Sequence, residues 1–168
     1  MPDRLTLEAI SWREEVRAGD VNAIRRLCRS SGFFSQEEIE VAGELAEERL
    51  AKGLVSGYHF IFAEEGEVVS GYSCFGPIPF TQGSWDLYWV VVDDSRRGRG
   101  LGGWLLEKTE KMAVARGCRR LYVETSSREQ YHPTRVFYQR RNYTTQAVLK
   151  DFYAPGEHKI IYLKVLAA

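Results

Sequence analysis

The sequence has few cysteines and no long run of apolar residues. Its three cysteines, Cys28, Cys74 and Cys118, lie far apart, and no CxxC or cysteine–histidine spacing accompanies them. This spacing excludes a typical structural zinc site, so we expect no bound metal and interpret the thiols as buried side chains of a protein in a reducing compartment. No apolar run approaches the roughly 20 residues of a membrane-spanning helix.

An excess of charge of one sign is also lacking, because 23 basic and 23 acidic residues cancel. A balanced charge provides no electrostatic footprint for nucleic acid or for an anionic membrane surface. Asp3, Arg4 and Glu8 interrupt the N-terminal segment, which therefore lacks the apolar core of a secretory signal. We expect a cytoplasmic protein without nucleic-acid or membrane partners.

The spacing of apolar residues predicts an alternation of strands and helices. The 168 residues are long enough for one domain with a full core, and no repeat or low-complexity linker divides them. Period-two and helical patterns predict strands at 4–12, 58–63, 68–75, 85–92, 121–125, 144–152 and 159–166, and helices at 21–28, 36–52, 99–116 and 133–141. The order is β-αα-βββ-α-β-α-ββ, and we predict one α/β domain with a mixed sheet over residues 4–167.

Local signals at the ends of these elements support the assignment. Asp20 is a suitable N-cap for the first helix, Ser35 and Glu38 form a capping-box pattern before the second, and Gly117 is placed to end the third. The fourth strand, at 85–92, is apolar and aromatic, which predicts a strand buried on both faces.

A segment rich in glycine and arginine, residues 96–103, separates the fourth strand from the third helix. The N-terminus of a helix presents unpaired N–H groups and the positive end of its dipole. Glycine lets a ligand approach the backbone closely, and arginine adds positive charge. The segment therefore predicts a site for a polyanion. The simpler alternative, a glycine-rich surface turn, is disfavoured because glycine weakens the start of a helix.

Three kinds of phosphate-binding loop are candidates for this segment. The P-loop pattern fails because Trp104 and Leu105 stand where its lysine and hydroxyl residue belong. The dinucleotide pattern GxGxxG is matched by Gly98, Gly100 and Gly103, yet that loop follows the first strand of a long βαβ domain, whereas this one lies late in the chain. The third possibility is a loop that binds the pyrophosphate of an acyl-coenzyme A.

The segment matches the motif [QR]-x-x-G-x-[GA] at Arg97, Gly100 and Gly102, and residues 136–143 read VFYQRRNY. With these motifs the chain resembles the GCN5-related N-acetyltransferases, or GNAT family, and the predicted element order matches that fold along the chain. The resemblance implies an acyltransferase that uses acetyl-CoA. Two positions depart from the family pattern. Asn142 replaces a glycine, which suits a left-handed residue, and Tyr131 replaces an asparagine that bonds the cofactor arm.

The resemblance also implies which residues contact acetyl-CoA. The loop would hold the pyrophosphate, and the fourth strand would pair with the pantetheine arm in a gap between splayed strands. The implied contacts are Val90, Val91, Val92, Arg97, Gly98, Arg99, Gly100, Leu101, Gly102 and Gly103. In the family a bulge often accompanies the gap, but the sequence does not reveal one.

The candidates for catalytic residues come from the resemblance to the GNAT family and from acid–base chemistry. Tyr138 matches the tyrosine that acts as general acid in many members; the alternative is a packed helix aromatic. An amine of pKa ~10.4 must lose a proton before it attacks. Glu124, near the end of its strand and on the same face as Tyr122, is the first candidate for the base. Asp86 is the second, and for both the alternative is a solvated or salt-bridged carboxylate.

Aromatic residues dominate the loops where the acceptor would enter. The aromatic candidates are Phe33, Phe34, Tyr58, Tyr72, Tyr88, Trp89, Tyr131 and Tyr153, and the polar ones are Arg128, His132, Asp151 and Glu157. Aromatic walls with few polar anchors favour a small-molecule amine or amino acid, acetylated by direct transfer in a ternary complex. Acetylation of protein or peptide N-termini and a non-catalytic acyl-CoA-binding protein remain alternatives. The last strand offers an edge for a homodimer.

Overall fold

The computed structural model describes residues 7–168 and contains seven strands and four longer helices in that range. The strands are β1 (Ile10–Arg13), β2 (His59–Glu65), β3 (Val68–Pro77), β4 (Ser84–Val92), β5 (Arg120–Ser126), β6 (Thr144–Ala154) and β7 (Glu157–Val165). The helices are α1 (Asp20–Ser31), α2 (Gln36–Lys52), α3 (Leu101–Ala115) and α4 (His132–Gln139). The predicted element order is confirmed.

All seven strands belong to one mixed sheet in the order β1-β2-β3-β4-β5-β7-β6. Strands β4 and β5 run parallel, and the other neighbouring pairs are antiparallel. The sheet therefore has one parallel junction near its middle, and the predicted mixed α/β architecture is confirmed. Strand β6 forms one edge and is exposed along most of its length. The last strand, β7, pairs with both β5 and β6, so the prediction that the last strand offers a free edge was wrong; a homodimer itself stays a prediction.

An apolar core lies on each face of the sheet. On one face, Ile24 and Leu27 of α1 and Ala46 of α2 pack against Phe62 and Tyr72 of the sheet. On the other face, α3 and α4 contribute buried side chains that pack against β3, β4 and β5. All three cysteines are free and buried, as predicted. Within residues 7–168, no helix is long and apolar enough to cross a membrane.

The first strand is shorter than predicted. Residues 4–6 lie outside the described residues, Leu7 and Glu8 are helical, and the strand begins at Ile10. The alternation of apolar residues suggested an extended segment, but Leu7 packs against the core on the α3 face from a helical turn. Only four residues of β1 therefore pair with β2.

Asp20 does not cap the first helix, although Ser35 and Glu38 do form the predicted capping box of α2. Asp20 is the first residue of α1, and its carboxylate accepts hydrogen bonds from Arg13 Nη1 and Nη2 at 2.7 and 2.6 Å. It also accepts from the backbone N–H of Arg17 at 2.7 Å. The charge-assisted contact with Arg13 replaces the helix N–H groups as its partner.

The prediction that β4 is buried on both faces was wrong. Trp85, Leu87 and Val91 are buried, whereas Tyr88 and Val90 are only half-buried. The reason is a cavity that borders part of this strand.

At the end of α3, Gly117 has a φ of 96° and follows the last helical turn, as predicted.

Candidate active site

The parallel strands β4 and β5 pair over only the first part of their length. Their partners run from Ser84 with Arg120 to Leu87 with Val123. Beyond this point β4 stays paired with β3, and β5 stays paired with β7. The two strands therefore separate, and residues 88–92 of β4 have no strand partner on the β5 side.

A bulge in β4 lies where this separation begins. In the pairing with β3, Trp89 faces Cys74 and Leu87 faces Phe75, so Tyr88 has no partner. An extra residue of this kind bends its strand and increases the local twist. Because Tyr88 directly follows the last residue of β4 that pairs with β5, the bulge coincides with the opening of the gap.

The gap is part of a cavity of about 810 Å³. It is bordered by residues 86–92 of β4, by residues 123–126 of β5, by α4 and by residues 96–103, the glycine-rich loop. The cavity brings together most of the candidates from the sequence: Asp86, Val90, Val91, Val92, Arg97, Gly98, Gly100, Leu101, Gly102, Gly103, Glu124 and Tyr138. Arg99 is exposed and does not line it.

The glycine-rich loop presents a row of free backbone donors. Gly98 and Gly100 have φ values of 73° and 84°, a left-handed conformation that glycine adopts without strain. The first backbone N–H of α3 with an acceptor is that of Trp104, which donates to the carbonyl of Gly100 at 3.0 Å. Within the described part of the chain, the N–H groups of residues 98–103 have no acceptor. Free donors at a helix N-terminus favour the binding of an anion, and the pyrophosphate site at this loop stays a prediction.

Arg97 contributes its side chain to this site rather than its backbone N–H. That N–H donates to the carbonyl of Asp94 at 3.3 Å. The guanidinium donates to the carbonyl of Ser31 at 2.7 Å and lies 5.0 Å from the centre of the Phe33 ring. Arg97 thus connects the loop to the segment between α1 and α2.

Arg141 lies against the first turn of α3, a contact that the sequence did not reveal. A Cβ on Gly103 would lie 2.5 Å from the Nη2 atom of Arg141, and a Cβ on Gly102 would lie 3.3 Å from the Phe137 ring. Glycine at both positions therefore lets the end of α4 approach the loop. The arginine belongs to the 136–143 motif, which is the one signal that could have drawn attention to it.

Tyr138 is packed in the core and also lines the cavity, and its catalytic role stays a prediction. Only 4% of the residue is exposed, and its hydroxyl makes no hydrogen bond within residues 7–168 but is not among the fully buried unpaired polar atoms. The rings of Phe137 and Tyr143 hold it edge-on at 5.1 and 5.4 Å. Burial raises the pKa of Tyr138 well above its ordinary value, so the phenol keeps its proton at physiological pH. Asn142 has a φ of 67°, the left-handed conformation expected there.

The two candidate bases have different surroundings. Glu124 is half exposed and pairs with Lys159 Nζ at 2.9 Å. Asp86 is only partly exposed and has no hydrogen-bond or ion-pair partner among the described residues. Burial, and then the charge of Glu124, raise the pKa of Asp86. A carboxylate with a raised pKa and no partner accepts a proton more readily, which favours Asp86. The catalytic role of Glu124 stays a prediction.

These groups approach the cavity from opposite faces of the sheet. Trp85 and Leu87 belong to the core on the α3 face, so Asp86 between them faces the α1 and α2 side. The same alternation places Glu124 on that side, next to Val123. Tyr138 belongs to the α3 face, and the gap between β4 and β5 connects the two sides.

Most of the aromatic residues predicted for the acceptor line the cavity on this side. They are Phe33, Phe34, Tyr88, Trp89, Tyr131 and Tyr153, together with Arg128 and Glu157. Tyr72 is fully buried in the core, Tyr58 packs against Tyr88 with ring centres 5.6 Å apart, and neither lines the cavity. His132 and Asp151 do not line it either. The hydroxyl of Tyr131 donates to the carbonyl of Phe33 at 2.9 Å and so connects two walls.

Glu38 also lines the cavity. The sequence indicated only its part in the capping box of α2 and not its position at the cavity. Among the residues that the structure describes, no group of three or more histidine, cysteine, aspartate or glutamate side chains is arranged to hold a metal ion.

Comparisons with known proteins agree with this architecture. The family model described as Acetyltransferase (GNAT) family matches residues 21–143. A solved structure from Desulfovibrio desulfuricans, assigned to the GNAT family, is 44% identical with a TM-score of 0.93, and the match covers 94% of this chain and 99% of that one. No curated protein matches the chain.

Two more distant structures were solved with coenzyme A or acetyl-CoA bound. An aminoglycoside 6′-N-acetyltransferase complexed with coenzyme A has a TM-score of 0.77 at 19% identity, with 95% of this chain and 97% of that chain covered. YncA from Salmonella typhimurium, solved with its cofactor acetyl-CoA, has a TM-score of 0.75 at 17% identity, with 94% of each chain covered. At such low identity these two show the fold alone. The family model and the Desulfovibrio relative go further, and the chain belongs to the GNAT acetyltransferases, a family of acyltransferases.

Proposed function

We propose that residues 4–167 act as one acetyl-CoA-dependent N-acetyltransferase domain, which transfers acetyl directly to the amine of a small molecule or amino acid in a ternary complex. The observation that carries the proposal is the cavity through the split sheet, with free backbone donors at the loop, Tyr138 on one face and Asp86 on the other. Direct transfer is favoured because none of the three cysteines lines the cavity.

The binding of acetyl-CoA is supported by free backbone groups and by two nearby arginines. The six N–H groups of residues 98–103 suit the pyrophosphate, and Arg97 and Arg141 add positive charge beside them. The backbone of residues 90–92 has a free side toward β5, where an extended amide-containing arm can pair as a strand does. Acetyl-CoA, once bound, supplies an acyl carbon joined to a good leaving group.

Two side chains of the cavity then accept and donate the protons of the reaction. Asp86 takes a proton from the acceptor ammonium and leaves a neutral amine, whose lone pair forms the new C–N bond as the C–S bond breaks. Tyr138 gives its phenolic proton to the departing sulfur. The nitrogen then loses a second proton, which returns to Tyr138 and restores the phenol. The products are an amide and a thiol, and Asp86 holds the first proton.

A thiol-release assay with acetyl-CoA tests the proposal. We expect release of coenzyme A with at least one free amine or amino acid of the panel and little with short peptides, and titration calorimetry should detect acetyl-CoA binding. A preference for peptides would support N-terminal acetylation of proteins instead. Binding without turnover on the whole panel would support a non-catalytic acyl-CoA-binding protein, and failure to bind any coenzyme A derivative would refute the proposal.

The left-handed glycines of the loop provide a matched pair of variants. Gly100 and Gly117 lie at opposite ends of α3 with φ values of 84° and 96°, and neither would bring a Cβ within 3.8 Å of another residue. Alanine should cost about 1–2 kcal/mol of unfolding free energy at either position. Only Gly100→Ala should weaken acetyl-CoA binding, by at least about tenfold, because it turns charge-assisted donors away from the phosphates. Calorimetry and thermal unfolding measure the two effects. Equal affinities for both variants would contradict the assignment of the loop.

A further inference from the structure

The charged side chains of the cavity are divided between its two ends. At the loop, the lining residues include Arg96, Arg97 and Arg141. At the other end, where the aromatic residues lie, the lining carboxylates are those of Glu38, Asp86, Glu124 and Glu157, and the lining cation is Arg128. This separation suits an anionic donor at one end and a cationic acceptor at the other.

The cations near the acceptor end already have partners. Arg128 Nε lies 3.4 Å from a carboxylate oxygen of Glu157, and Lys159 Nζ lies 2.9 Å from one of Glu124. Asp86 has no cationic partner within the described residues. Arg97, whose guanidinium lies 5.0 Å from the centre of the Phe33 ring, is also paired, with Asp94 at 3.2 Å. The acceptor end therefore has an excess of carboxylates, and the cations near it are already engaged.

This charge distribution discriminates between amines with and without a carboxylate. The carboxylate carbon of an α-amino acid is only two bonds from the amine nitrogen, so the carboxylate would enter the cavity together with the amine. There it would meet like charges and lose its hydration without gaining a cationic partner, which is strongly unfavourable. A simple ammonium group in the same place is attracted instead.

The walls around these carboxylates are aromatic. Phe33, Phe34, Trp89 and Tyr131 are half-buried and line the cavity, and the Phe34 and Trp89 rings pack with centres 5.8 Å apart. Aromatic faces bury apolar surface and attract cations.

We propose that the acceptor is a positively charged amine that has an aromatic or other apolar body and lacks a carboxylate. The proposal rests on the proposed acetyltransferase function and narrows its acceptor. It excludes free amino acids, which the aromatic walls alone would permit.

Three related compounds test the role of the carboxylate: phenethylamine, phenylalanine and phenylalaninamide. Their kcat/KM values are compared with acetyl-CoA as donor, each corrected for the fraction of the amine in the ammonium form. We expect phenethylamine and phenylalaninamide to exceed phenylalanine by at least about tenfold, because only phenylalanine brings a negative charge. Equal values for phenylalanine and phenethylamine would overturn the proposal. So would equally poor values for phenylalanine and phenylalaninamide, because the discrimination would then be steric.

Charge variants test the explanation. Glu157→Gln frees Arg128 for a carboxylate, so the preference for phenethylamine over phenylalanine should fall by about threefold or more. Glu107→Gln is the control, because Glu107 is exposed on α3, pairs with Lys111 and does not line the cavity; it should leave the preference unchanged. An unchanged preference in Glu157→Gln would overturn the assigned role of Arg128. Failure of the wild-type protein to bind acetyl-CoA would refute the acetyltransferase function itself. Turnover of other amines, with none of phenethylamine or phenylalaninamide, would refute only the acceptor class.

Discussion

Replacement of Tyr138 by phenylalanine is expected to lower kcat by about 10²–10⁴-fold, the usual contribution of a general acid. The variant keeps the ring and loses only the hydroxyl, which lines the cavity without a hydrogen-bond partner in the described residues. The leaving sulfur would then depart without a proton donor. Because the hydroxyl makes no hydrogen bond to another described residue, the free energy of unfolding and the Kd of acetyl-CoA should change little. Steady-state kinetics, calorimetry and chemical denaturation measure these quantities.

Tyr143→Phe is the matched control for that experiment. Tyr143 is also buried and packs against Tyr138, but its hydroxyl donates to Glu110 at 2.9 Å and it does not line the cavity. Its replacement should therefore cost about 1.5–3 kcal/mol of stability, because a hydrogen bond to a charged group is lost, and should leave kcat nearly unchanged. If Tyr138→Phe behaved like Tyr143→Phe, the tyrosine would be a packing residue and not the acid.

Replacement of Asp86 by asparagine is expected to lower kcat/KM at pH 7 by about 10²-fold, because a positioned base is lost. The deficit should shrink as the pH approaches the amine pKa of ~10, where neutral amine becomes abundant without a base. Burial raises the pKa of Asp86. The wild-type rate should accordingly fall as the pH drops through that raised pKa, and the variant should lack this limb. Profiles of kcat/KM against pH for both proteins provide the measurement.

Glu124→Gln separates the two candidate carboxylates. Glu124 is more exposed and paired with Lys159, so its loss should affect turnover less than the loss of Asp86 and should leave acetyl-CoA affinity unchanged. A larger effect in Glu124→Gln than in Asp86→Asn would assign the base to Glu124, as the sequence suggested. Unchanged pH profiles in both variants would remove both carboxylates from proton transfer.

The sequence predicted that Glu124 shares a face of its strand with Tyr122, because strand periodicity is local. It did not reveal which groups pack around Glu124 or Asp86. The ion pair that engages Glu124 comes from Lys159 on β7, and the partial burial of Asp86 comes from the β4–β5 junction. Asp20 is a similar case, because its partner Arg13 belongs to β1 and not to the helix. Such partners are set by packing between elements.

The sequence by itself determined the element order, the capping box of α2, the left-handed residues Asn142 and Gly117 and the position of the glycine-rich loop, because each depends on the conformational preferences of neighbouring residues. Only the tertiary structure decided that this loop, Tyr138 and Asp86 share one cavity. That cavity exists because β4 stays with β3 and β5 stays with β7 after the bulge at Tyr88. Strand pairing joins residues far apart in the chain, so no local pattern reports where two strands separate.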